Sequence, residues 1–279
     1  MALTVNTNLF ALNSQRALMS TESDLKTAMA RLSSGLRINS AKDDAAGLYA
    51  VEKMTADIRG QNQAIRNASD GISLAQVAEG ALGQIGGNLQ RIREIAVQAA
   101  NGTTEDLSGL QAEVDQLTQE ISRIVQTTKF NGKDLLNNTS GITFQVGEDA
   151  ESNSQITVSA ISVTGISAYG SSLTATGTIN LSGANVTGSA GLIGKLEADI
   201  ASVAKNRATF GAVQNRFEAV ISNLSVSVEN VSAARSRLQD ADFAAETAKL
   251  TRAQILQQAG VAMLAQANAQ PQSALALLK

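Results

Sequence analysis

Apolar residues recur at every seventh position from Leu196, with Val203, Phe210, Phe217, Leu224, Val231 and Leu238 following in step. A second stripe, Ile200, Ile221 and Val228, lies between them and is interrupted by Arg207, Gln214 and Arg235. A seven-residue apolar repeat keeps one seam of a helix facing a partner, which is how coiled coils pack. The spacing predicts a helix over 196–238. At about 1.5 Å per residue it is roughly 65 Å long and needs equally long partners.

Two partners precede it. Leu110, Val114, Leu117, Ile121 and Ile124 alternate spacings of four and three, and Ser108 with Gln111 forms a capping-box pattern at the start. Residues 72–100 carry Leu74, Ala78, Ala81, Ile85, Ile92, Ile95 and Ala99 in the same rhythm. Gly80, Gly83, Gly86 and Gly87 interrupt this pattern. Each costs about 1 kcal/mol against Ala in a helix, so either the helix is locally weak there or another backbone approaches closely. Leu18, Leu25, Met29, Leu32 and Leu36 form a further heptad-like stripe near the N-terminus. Residues 253–278 contain no charge, so a helix there lacks a charged solvent face and must be covered. The N-terminal stripe is the nearest candidate, and other copies of the chain are the next.

The centre has a different period. Residues 152–194 are also uncharged, and 165–194 hold seven Gly and nine Ser or Thr. Ile142, Phe144 and Val146 alternate with polar residues, as do Ile156, Val158 and Ala160, before a phase slip to Ile161 and Val163. This predicts a β-hairpin over 142–164 with a bulge at the slip. A second small hairpin near 171–182 is a weaker expectation.

Composition narrows the chemistry. The 279 residues include no His, no Cys and no Trp. Imidazole-based catalysis, thiol nucleophiles, disulfides and Cys- or His-ligated metals are therefore excluded. With 22 basic and 25 acidic residues the net charge is −3, which leaves no nucleic-acid footprint. No run approaches the roughly 18 apolar residues of a membrane span. The N-terminus, MALTVNTNLFALNSQR, has neither the basic start nor the apolar run of a cleavable signal. Enzymes that use only carboxylates, Lys or Ser stay open on composition, but a non-enzymatic role without cofactors or metals is the expectation. Pro271, the only proline, leaves the long helices uninterrupted and is expected to mark the end of the last one.

Residues 32–48, LSSGLRINSAKDDAAGL, resemble the N-terminal signature of bacterial flagellins. NTNLFALNSQR at 6–16, QRIREIAVQAANGT at 90–103 and TKFNGKDLL at 128–136 continue the resemblance. So do NRFEAVISNL at 215–224, ARSRLQDADFAAE at 234–246 and the uncharged segment 253–278. Only about 150–194 falls outside it. Gln239 stands where the family usually has an acidic residue, Phe243 where it has Tyr, and glycines at 83–87 replace a more helical stretch.

The resemblance implies a mainly α fold of long antiparallel helices. A coiled-coil terminal domain from 1–43 and 240–279 would adjoin a helical rod domain from 44–165 and 190–239, leaving 166–189 as a short variable loop or small hairpin. It implies a structural subunit that self-assembles into the extracellular flagellar filament, exported through the flagellar secretion channel. Implied partners are further copies, an export chaperone that holds the C-terminal segment, the filament cap and hook–filament junction proteins. The alternatives are a hook–filament junction protein or a surface adhesin-like homologue. An inserted HExxH metalloprotease is ruled out by the lack of His.

The polymerisation residues expected on this basis are Leu18, Leu25, Met29, Leu32 and Leu36 with Ile255, Leu256, Met263, Leu264, Leu275 and Leu278. Lys42, Asp43 and Asp44 read most simply as a solvated or interface charge cluster, since adjacent helical residues do not face each other. In flagellins this segment lies among neighbouring subunits, so Asp43 and Asp44 are expected to set subunit register. Arg91, Ile95 and Glu113 match positions recognised by host Toll-like receptor 5, with Ile95 where Leu is usual. Leu275, Leu277 and Leu278 resemble the stretch sensed by cytosolic flagellin receptors. Eight Asn-x-Ser/Thr sequons, at Asn67, Asn101, Asn137, Asn138, Asn180, Asn185, Asn223 and Asn230, are chance in a chain this rich in Asn, Ser and Thr. The 165–189 stretch resembles regions that carry O-linked sugars in some flagellins.

Overall fold

A computed structural model describes residues 8–101, 107–159, 161–170, 178–181 and 191–276, with side chains described only as far as 269 at the C-terminal end. Its helices are α1 (Leu9–Ser34), α2 (Ala45–Ala99), α3 (Ser108–Thr127), α4 (Leu192–Gln239) and α5 (Phe243–Ala276). Four short strands, β1 (Lys129–Phe130), β2 (Lys133–Asp134), β3 (Ile142–Gln145) and β4 (Gln155–Val158), follow α3. The mainly helical class with a small hairpin region is the observed one. The chain divides into two compact units, Met1–Ile58 with Glu229–Lys279, and Arg59–Val228.

In the first unit α1 lies along α5. Asn8 caps α1, its Oδ1 accepting the Ala11 N–H at 3.1 Å. Gly35 ends α1 in the left-handed region, φ 72°, and its N–H reaches the Arg31 carbonyl at 2.8 Å. Only glycine enters that region without steric cost. The chain then pairs with the end of α4: Arg37 N–H donates to Gln239 O at 2.6 Å and Ala241 N–H to Gly35 O at 2.9 Å. Asp242 caps α5, accepting from the N–H groups of Ala244 and Ala245 at 2.9 and 3.2 Å.

The second unit holds the main apolar core. Leu74, Ala78, Leu82, Ile85, Leu89, Ile92 and Ile95 form the buried stripe of α2. Val114, Ile121 and Val125 of α3 and Leu196, Val203, Phe210 and Phe217 of α4 pack against it. The heptad is thus fully buried over its first four members, and Leu224, Val231 and Leu238 are half-buried. β3 and β4 pair antiparallel, with Ile142 opposite Val158 and Phe144 opposite Ile156. The Phe144 ring meets Phe217 edge to face, 5.5 Å between centroids at 83°.

Several expectations are corrected. α2 begins at Ala45 rather than at 72. A Cβ at Gly80, Gly83 or Gly87 would meet nothing within 4 Å, so those glycines admit no close neighbour and mark a weak stretch of helix. A close approach occurs instead at Gly71, where a Cβ would sit 2.6 Å from Cζ of Phe217. The capping box is not used. Leu107 takes the cap position of α3, and the Gln111 amide instead clamps another segment, donating to Ile179 O at 2.7 Å and accepting from Leu181 N–H at 3.0 Å.

The hairpin ends at Val158, short of 164. Beyond it Ser162 bridges to Asn137, and Val163 N–H donates to Leu136 O at 3.0 Å, so the chain pairs with the segment preceding β3. Asn131 and Gly132, at φ 48° and 77°, make the tight turn between β1 and β2. The Asn-Gly pair is the signal that marks that turn. Most of the possible second hairpin at 171–182 and of the 165–189 stretch lies outside the described residues. Finally, α5 does not stop at Pro271 but runs on to Ala276. The Ala267 carbonyl, which a proline at 271 cannot serve, accepts the Asn8 Nδ2–H at 2.7 Å.

Candidate assembly interface

The α1/α5 pair has almost no apolar core of its own. Ala28 is the one buried residue of α1, and Ala253, Ala267 and Glu246 are those of α5 among the residues whose side chains are described. Glu246 sits in the first turn of α5, 7% exposed, with Lys249 Nζ at 2.8 Å and Arg31 Nη1 at 3.4 Å. The hydrogen bond from Lys249, with the charges of Lys249 and Arg31, holds its carboxyl below the usual range against the opposing effect of burial. The positive end of α5's helix dipole favours a carboxylate at the same place.

Large apolar side chains instead face outward. Leu9, Phe10, Leu12, Met19 and Met29 of α1 and Phe243, Ile255, Leu256, Val261 and Met263 of α5 are each at least half exposed. Isolated exposed apolar residues are ordinary, but ten on one helix pair make an interaction surface. Of the residues expected in polymerisation, Leu18, Leu25, Leu32, Leu36 and Leu264 are half-buried. Met29, Ile255, Leu256 and Met263 point outward rather than into the pair. The side chain of Leu275, and Leu277 and Leu278 entirely, lie outside the described residues.

The loop between α1 and α2 gives its acidic residues specific work. Asp43 Oδ2 accepts from the Ser40 hydroxyl and N–H, both at 2.9 Å, and from the Asn39 N–H at 3.3 Å. The Ser40 hydroxyl, then these backbone groups, lower its pKa. Asp44 caps α2, its Oδ1 accepting the Gly47 N–H at 2.9 Å. An acidic residue just before a helical run is a cap signature, and the charge-cluster reading of 42–44 missed it.

In the second unit Arg91 bridges α2 and α3. Its Nε lies 2.7 Å from Glu113 Oε1 and its Nη1 3.2 Å from Glu94 Oε2. The hydrogen bond it donates to Glu113, and then the one it donates to Glu94, raise its pKa. The Arg91 and Glu113 side chains are 50% and 41% exposed. Ile95 is fully buried in the core, so the surface here is formed by the charged pair and not by Ile95. Asp199 of α4 is buried, and its carboxylate accepts the Ser167 N–H at 2.8 Å. Burial pushes its pKa up, and this hydrogen bond opposes the shift. Among the described residues no three His, Cys, Asp or Glu gather as a metal site requires, and no helix is long and apolar enough to cross a membrane.

Comparison with known proteins points one way. The family description "Bacterial flagellin N-terminal helical region" matches residues 5–141, and "Bacterial flagellin C-terminal helical region" matches 193–278. Flagellin of Halalkalibacterium halodurans is 43% identical over 278 residues, covering 99% of both chains. Flagellin of Bacillus subtilis is 42% identical over 302 residues, again covering 99% of each. The flagellar filament 33 kDa core protein of Treponema phagedenis is 40% identical with the same coverage. The crystal structure of Bacillus cereus flagellin aligns with a TM-score of 0.46 at 31% identity, over 61% of this chain and 94% of that one.

Proposed function

We propose that this chain, which belongs to the bacterial flagellin family and is a structural subunit of the flagellar filament, polymerises by burying the outer faces of its paired end helices against those of neighbouring copies. The family membership makes it a structural protein that self-polymerises and is exported to the flagellum. The observation that carries the assembly reading is the imbalance in the α1/α5 pair, whose buried apolar residues are alanines while ten large apolar residues face solvent. Such a pair gains too little burial in one copy to offset the entropy of ordering both helices. Neighbouring copies supply the missing apolar surface, so ordering of the ends and growth of the filament are one event. In this reading 1–43 with 240–279 is the polymerising domain. Its test is amide hydrogen exchange of the two end segments before and after assembly.

The same surface serves the chain's other expected partners. A C-terminal segment without charge over 253–278 suits capture by an export chaperone before passage through the flagellar secretion channel. The filament cap and the hook–filament junction proteins then meet the copies at either end. Asp43 and Asp44, which brace the α1–α2 loop, hold that loop in the shape that sets subunit register.

A second reading concerns the host. Arg91 and Glu113 are the residues expected to be recognised by Toll-like receptor 5, and what supports this is that the two form a solvent-facing ion pair across α2 and α3. The monomer is expected to bind the receptor ectodomain. Replacing both by Ala is expected to weaken that binding at least about tenfold, as loss of a charged anchor at an interface does. Surface plasmon resonance on the monomer measures it, and unchanged affinity would overturn the reading.

A further inference from the structure

We infer that Asn8 is a register lock of the α1/α5 pair, closing in α5 the one carbonyl that Pro271 leaves open. In an α-helix each N–H donates to the carbonyl four residues back. Pro271 has no N–H, so the Ala267 carbonyl loses its helical partner. Ala267 is 8% exposed, which leaves water little access to that oxygen. The side chain of Asn8, 259 positions away, donates Nδ2–H to it at 2.7 Å. The Oδ1 of the same amide accepts the Ala11 N–H at 3.1 Å and so caps α1.

Both ends of one amide are therefore used, one in each helix. Asp at this place supplies a cap acceptor but no donor, and Ser carries both roles on one short-reaching atom, whereas the carboxamide carries them on two separate atoms. The buried apolar residues along the seam are Ala28, Ala253 and Ala267, and alanines distinguish one register from the next only weakly. Register is then held by the Gly35–Ala241 backbone bond and the Arg31–Glu246 pair at one end, by Leu18 against Gly260 between, and by Asn8 with Ala267 at the other end. Sliding α5 by one turn, about 5.4 Å, takes the open carbonyl away from Asn8 and leaves a buried acceptor unpaired. The lock rests on the assembly reading above, because the α1/α5 register sets which faces meet neighbouring copies.

A cycle of four full-length chains tests it: the natural sequence, Asn8→Asp, Pro271→Ala and the double variant. Asn8→Asp keeps the capping oxygen and removes the donor. Pro271→Ala restores the N–H that serves Ala267. The readout is the critical concentration for growth from filament seeds. Asn8→Asp is expected to raise it about tenfold when Pro271 is present, the size of losing a buried hydrogen bond. With Pro271→Ala the same change is expected to alter it less than about twofold, since the carbonyl is already paired. An equal factor in both backgrounds, or no effect beside Pro271, overturns the lock while leaving the assembly reading standing. So does a Pro271→Ala chain that fails to assemble, because the substitution only adds a helix hydrogen bond. Failure of the natural chain to polymerise overturns the assembly reading, and the lock with it.

Discussion

Chains ending at Gln239 are expected to form no filaments while keeping a folded helical rod. Loss of residues 240–279 removes α5, and with it Phe243, Ile255, Leu256, Val261 and Met263, half of the exposed apolar surface of the end pair. It also strips the cover from Ala28 and the half-buried Leu18, Leu25 and Leu32, leaving α1 a lone helix that is marginal in water. The core of the second unit is untouched, since its buried cluster runs from Ala68 to Phe217 and contains no residue of α1 or α5. Negative-stain microscopy is expected to show no filaments at concentrations where the full chain polymerises. Circular dichroism of the shortened chain is expected to keep a strong helical signal and a cooperative melt. Normal filaments from the shortened chain would refute the assigned role of the ends.

Phe217→Ala is expected to be the most damaging single substitution in the rod. The ring is fully buried, meets Phe144 edge to face at 5.5 Å, and fills the space that Gly71 leaves on α2. Truncating a buried Phe costs about 3–5 kcal/mol. For a unit of this size that lowers Tm by roughly 10 °C. Gly71→Ala is destabilising on its own, because its Cβ would lie 2.6 Å from the ring and the space has no slack. The two changes are expected not to add: Gly71→Ala becomes neutral or helpful once the ring is gone, when only its better helix propensity remains. Thermal melts of the four chains measure this. Simple additivity would show that Gly71 has another role.

These sites also show what a single sequence discloses. The seven-residue repeat of α4 was legible because periodicity maps directly onto one face of a helix, and Phe217 was visible as a core member of it. Its need for Gly71 was not legible, because a glycine inside a helix looks the same whether it admits a neighbour or merely weakens the helix. The cluster at 80–87 drew attention for its density, whereas the isolated Gly71 is in close contact. Gln111 fitted a local cap motif but is taken by the main chain of 179–181, a long-range use that no local pattern encodes. Asp43 and Asp44 were noticed as charges although their work is hydrogen bonding to nearby backbone. The family was readable from extended motifs on both sides of the variable centre, and the full-length relatives agree. The outward aim of Met29, Ile255 and Met263 was not, since a heptad stripe does not say whether its partner is the same chain or the next.

The central claim is that the ends become ordered by joining the filament. Hydrogen exchange followed by mass spectrometry, on peptides from 9–34 and 243–269 in the monomer and in the filament, tests it most directly. The account predicts that these peptides exchange almost at once in the monomer and become protected in the filament, while peptides from 74–95 are protected in both. Equal protection of the end segments in monomer and filament would contradict it.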